Sequence, residues 1–130
     1  MRGGIAADAD LVYMGTRFVP TTESMAKPEY KQMLVDCSVD DIVVSSGITG
    51  TPASWLKPSL RVAGLDPDKL PATPPRNYDS NNSLKTRKWV DTWTGGQGLG
   101  AIKAIQSIGE VVDGLETQYR KAGTRFLQKL

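Results

Sequence analysis

Leu11-Val12-Tyr13-Met14 is a run of four apolar residues that passes directly into Gly15-Thr16, and no other stretch constrains the fold as much. A run this short, containing Val and Tyr, reads as a strand buried on both faces. Such a strand needs partners: neighbours along both edges and cover over both faces. The glycine and hydroxyl at its end let the backbone approach a ligand and point N–H groups at a phosphate. Read alone, Met14-Gly15-Thr16 is an ordinary strand-to-loop turn.

The remaining elements are mostly helical. Thr21-Thr22-Glu23-Ser24 carries helix-capping chemistry, and Pro28 suits a first helical position. Tyr30, Met33, Leu34 and Cys37 follow at helical spacing, which predicts a helix of about ten residues from Pro28. Asp41–Ser45 reads as a strand. Gly47, Gly50 and Pro52 then predict a hairpin or tight loop. Trp55, Leu56, Leu60 and Val62-Ala63 predict a helix ending at Gly64, with Pro58 in its first turn. Residues 66–86 hold Pro67, Pro71, Pro74 and Pro75 among polar residues, and read as a long surface loop. Trp89 and Trp93 are spaced to share a helical face and read as packing residues. The last helix is the clearest. Ser107 and Glu110 form a capping-box pattern, and Ile108, Val111, Val112, Leu115, Tyr119, Ala122 and Phe126 form one apolar stripe.

Composition removes several function classes. The chain has no His and one cysteine, Cys37, so it offers no metal-ligand cluster and no disulfide framework. Cys37 reads as a small buried hydrophobe in a reducing, cytoplasmic setting. The net charge is only +2, and Lys and Arg are scattered, so nucleic acid is not an expected partner. No apolar run approaches the roughly 18 residues of a membrane span, and Met1–Ile5 lacks the apolar stretch of a signal peptide. Asp40-Asp41 and Asp66/Asp68 read as turn formers. Gly95–Gly100 is neither a P-loop nor a Rossmann fingerprint; it reads as a structural loop or, alternatively, as a lid near a ligand.

Several blocks in order resemble the nitronate monooxygenase (2-nitropropane dioxygenase) family. Gly3-Gly4-Ile5 is similar to the end of that family's seventh strand, and Tyr13-Met14-Gly15-Thr16-Arg17-Phe18 to the end of its eighth. Thr22-Glu23-Ser24 with Tyr30-Lys31, then Asp41-Ile42-Val43, Thr49-Gly50 and Leu56, match the segments that follow. Trp93 with Gly96-Gln97-Gly98 resembles the family's tryptophan and Gly-Gln-Gly loop.

The fold this implies is α/β: a C-terminal fragment of a TIM (β/α)8 barrel with an appended small hairpin and helices. On that resemblance residues 1–38 hold the last barrel strands and the following helix, 39–65 the hairpin and its helix, 66–86 a flexible loop, and 87–130 a C-terminal helical segment. FMN is the implied cofactor, with Gly3, Gly4, Tyr13, Met14, Gly15 and Thr16 around its phosphate. The implied activity is a flavoprotein oxidoreductase's: oxidation of alkyl nitronates with O2 to carbonyl compounds and nitrite. The flavin-dependent enoyl-acyl-carrier-protein reductases share this barrel type and are the alternative enzyme.

Two departures from the family bear on these expectations. Only Ala6–Asp10 separate the two strand ends, whereas a parallel crossover takes a dozen or so residues. The family's catalytic histidine lies upstream of the matching blocks, so no catalytic residue is assigned here. A separately encoded N-terminal part is then the expected partner, beside the nitronate and O2. A non-catalytic remnant and an interaction module are the non-enzyme alternatives.

Overall fold

The computed structural model describes residues 3–4, 7–72 and 92–128. Its centre is a hairpin. Strand β1, Ile42–Ser45, pairs antiparallel with β2, Ala53–Leu56, in the register Ile42↔Leu56, Val43↔Trp55, Val44↔Ser54 and Ser45↔Ala53. Trp55 and Leu56, expected in a helix, therefore belong to a strand. The apolar pattern over 55–63 is compatible with either state, and cross-strand pairing decided it. The indole N–H of Trp55 donates to the Ser45 carbonyl at 3.1 Å. The outer edge of β2 is covered by residues 93–95: the Leu56 N–H donates to Trp93 O at 2.9 Å, and the Gly95 N–H to Ser54 O at 3.1 Å. Trp93 is thus on an edge pairing rather than a helix. Trp89, and residues 73–86 of the expected loop, lie outside the described residues.

The expected helix from Pro28 is present as α1, Pro28–Asp36, with proline in its first turn. It buries Leu34 against Cys37, Leu56, Leu99 and Ile102. Tyr30 stacks on Trp93, ring centroids 5.1 Å apart, and its hydroxyl donates to Thr94 O at 2.6 Å. A second cluster joins Ile48, Trp55 and Leu60. Leu60 comes from α2, Lys57–Val62, which stops where expected: Gly64 has φ +77°, a left-handed conformation that glycine adopts without steric cost. The Gly64 N–H donates to Arg61 O and the Leu65 N–H to Leu60 O, which closes the helix end in a Schellman motif. Both expected aspartate turns form, as Asp41 closes a capping box with Ser38 and Asp66 accepts from the Asp68 N–H.

Helix α3, Ile108–Leu127, starts at the anticipated capping box: the Ser107 N–H donates to Glu110 Oε2 at 2.7 Å, and the Glu110 N–H to Ser107 Oγ at 3.2 Å. Its apolar stripe is only partly covered. Val111 is buried, while Ile108, Val112 and Tyr119 are exposed. No described helix is long and apolar enough to cross a membrane.

The main correction concerns the opening run. Leu11–Met14 is not a strand. Leu11 is 89% and Tyr13 96% exposed, and no described backbone hydrogen bond joins residues 11–14 to any other segment. A strand meant for burial on both faces has no intrinsic stability without edges to pair with. Gly3 and Gly4 sit in helical backbone rather than at a strand end, and the Ala7 and Ala9 N–H groups donate to Gly4 O.

Candidate functional site

Gly15-Thr16 opens a single 3-10 turn, Thr16–Phe18. A second such turn, Gln97–Ala101, lies against it. The joint is one hydrogen bond: the Gly96 N–H donates to Thr16 Oγ1 at 2.9 Å, across 80 residues of sequence. A Cβ at 96 would lie 3.2 Å from Thr16 Oγ1, a tight contact that the threonine side chain would have to yield to. Thr16 accepts that bond, so its own hydroxyl hydrogen remains available to donate.

A cavity of about 400 Å3 opens at this joint. Tyr13, Met14, Gly15, Thr16 and Arg17 form one wall, Gly96, Gly98 and Ala101 the second, and Leu115 and Gln118 of α3 the third. Four of the six residues expected around a phosphate are therefore brought together. Gly3 and Gly4 are not among the lining residues. Gly3 has open space where a side chain would project, and Gly4 lies close to Val12, where a Cβ would stand 3.1 Å from Val12 Cγ2. The crossover of five residues is the physical reason: it is too short to bring a second strand end alongside the first. An apolar groove of about 380 Å3 adjoins the cavity, sharing Met14 and Leu115 with it and continuing along Val12, Phe18, Val112, Glu116 and Tyr119.

Arg17 was overlooked as a site residue, although it stands inside the Tyr13–Phe18 block. It is half-buried, and its Nη2 donates to Gln106 Oε1 at 2.9 Å. Its Nη1 is shielded from solvent and has no hydrogen-bond partner among the described residues. Gly96 and Gly98 were visible only as a glycine-rich loop with two readings. The structure places that loop at the cavity.

The turn is tied to the start of α3 by several bonds. The Thr22 N–H donates to Gln106 O at 2.9 Å, and the Ile108 N–H to the Glu23 carboxylate at 2.9 and 3.0 Å. Glu23 thus supplies the capping chemistry anticipated for its segment, but to a helix 85 residues away. Its pKa lies below the ordinary value of 4.5, first because of that Ile108 N–H. Glu110 is held low by the Ser107 N–H and hydroxyl. The Lys31 ammonium donates to Thr21 O at 2.6 Å and Ser24 O at 2.7 Å, fixing the loop between turn and α1. Burial pushes the Cys37 thiol up, with Asp41 and Asp36 adding to it, so Cys37 is a packing residue and not a poised nucleophile.

No family model matches the chain, and no curated protein does. Solved structures do. The M276A variant of FabK from Thermotoga maritima superposes with a TM-score of 0.69 at 24% identity, over 100% of this chain and 40% of that one. FabK from the same organism superposes with a TM-score of 0.66 at 23% identity, over 97% of this chain and 42% of that one. The likeness is one of fold: this chain superposes on part of FabK. The chain spans about 40% of the length of the structures it matches.

Proposed function

We propose that this chain provides the phosphate end of an FMN site in a flavin-dependent barrel oxidoreductase. The observation that carries the reading is the joint at which Gly15-Thr16 and Gly96–Gly98, far apart in sequence, wall one cavity. The residues fit a phosphate. Close-packed glycine backbone permits near approach, the Thr16 hydroxyl hydrogen is free to donate, and Arg17, one of the lining residues, adds positive charge. Tyr13 and Met14 would border the same ligand, and Leu115 and Gln118 would close it from the helix side.

FMN, when bound, would supply the two-electron redox chemistry, and the protein's task is binding, orientation and exclusion of water. Two substrate readings share that cofactor. The Tyr13–Phe18 block and the glycine-glutamine-glycine loop support oxidation of alkyl nitronates. The likeness to FabK, an FMN-dependent enoyl-acyl-carrier-protein reductase, supports the second, reduction of an enoyl thioester. No described residue is assigned as a general base in either.

The test is a visible spectrum of the purified chain mixed with FMN and then dialysed. Retained flavin bands support the reading, and a colourless protein overturns it for the chain on its own. Nitronate turnover by the chain alone is not expected, because it contains no His to take the family's catalytic position. Nitrite release above a protein-free control would contradict that.

A further inference from the structure

The charges of α3 are sorted along its length. Glu110, Asp113 and Glu116 lie in its first half, which holds no basic residue, and Arg120, Lys121 and Arg125 in its second, which holds no acidic one. The apolar stripe of the same helix is covered only in part by the rest of the chain. Ile108 is 43%, Val112 48% and Tyr119 36% exposed. The groove of about 380 Å3 beside the stripe is lined by Val112, Leu115 and Tyr119 from α3 and by Val12 and Phe18 from the opening segment. We propose that a second copy of this chain covers the stripe, the two α3 helices packing antiparallel about a twofold axis.

Charge order selects both the partner and the direction. A twofold axis brings the same patch of two identical chains together, and an axis perpendicular to α3 makes the two helices antiparallel. The acidic half of each then meets the basic half of the other, whereas a parallel pair sets like charge against like. At 3.6 residues per turn, an axis at the level of Thr117 sets Val112 opposite Ala122 and Leu115 opposite Tyr119. Asp113, Glu116 and Arg120 fall along one flank of the stripe, and there each Arg120 meets Asp113 and Glu116 of the second copy. Local causes explain less of the pattern. The helix dipole favours Glu110 in the first turn and Arg125 in the last, but it fades within a turn and leaves the four charges between them. The Glu116–Arg120 ion pair, 2.6 Å within one helix, is exposed and worth little by itself. Across the axis, two such pairs become one network.

The pairing involves no flavin and stands or falls apart from that reading. The test is sedimentation equilibrium of the full chain over a range of protein concentrations, with no flavin added. The wild type should pass from monomer to dimer as concentration rises, and the dimer should weaken as potassium chloride is raised. Two charge-reversed chains separate charge pairing from general stickiness. One carries Asp113→Lys with Glu116→Lys, the other Arg120→Glu. Each alone sets like charges together across the axis, so its dissociation constant should rise about tenfold or more. An equimolar mixture of the two puts opposite charges back at both ends and should recover most of the wild-type association, which a folding defect would not allow. A wild type that stays monomeric at every concentration gives the stripe to another occupant and overturns the pairing. So does a dimer indifferent to salt, a reversed chain that dimerises as well as the wild type, or a mixture that recovers nothing.

Discussion

Thr16 has two roles at one oxygen. It accepts from the Gly96 N–H and so fastens one 3-10 turn to the other, and its hydrogen remains for a ligand. Thr16→Val keeps the shape and removes both. It should cost about 1 kcal/mol of stability in urea unfolding, the typical worth of one intramolecular hydrogen bond, and should weaken FMN retention, whereas Thr16→Ser should keep most of each. Glu23 and Glu110 set the pH response at this scale. Both are carboxylates whose folded pKa lies below the ordinary 4.5. A depressed carboxylate contributes stability that is present above its unfolded value and is lost as pH falls through the folded one. Far-UV helicity should therefore hold down to about pH 4.5 and decline below it. Glu23→Gln should show a smaller acid-induced change, and an identical titration would contradict the Glu23 cap. The identity of these residues is plain in the sequence. That Glu23 serves Ile108 is not, because nothing local links positions 85 apart.

Among the elements, those with local signals were legible. Pro28 opening α1, Gly64 ending α2 and Ser107 with Glu110 opening α3 all act within one helical turn, so the residues that specify them are adjacent in the chain. Ser107→Ala should cost about 0.5–2 kcal/mol, read as a lower urea midpoint. Where the signal was non-local it misled. Trp55-Leu56 carries a pattern that suits helix or strand, and pairing with Ile42-Val43 made it a strand. Trp93 was read into a helix and instead pairs along the edge of β2. Leu56 is the residue where these elements meet, packed with Leu34, Leu99 and Ile102. Leu56→Ala should cost about 2–5 kcal/mol, the range for truncating a fully buried leucine. A loss below 1 kcal/mol would mean that the cluster is not the core of the folding unit.

At the scale of the molecule, the interior runs from α1 through the hairpin to the Gln97–Ala101 turn, while Leu11–Tyr13 and much of the α3 stripe face outward. Contiguous exposed apolar surface of this kind favours association. Leu11→Lys should leave the urea midpoint almost unchanged, within about 0.5 kcal/mol for an exposed position, and should lower the apparent mass in light scattering at high protein concentration. An unchanged mass would show that this run is not where copies meet. The sequence by itself determined the start of α1, the end of α2, the start of α3, the aspartate turns and the first hairpin strand, because each is set by backbone preferences within a few residues. Only the tertiary structure decided that Leu11–Met14 makes no backbone hydrogen bond to another described segment, and that Gly96 and Gly98 form the opposite wall of the cavity. Those depend on which distant segments reach one another, and a crossover of five residues together with an 80-residue closure is a property of the folded chain, not of any window along it.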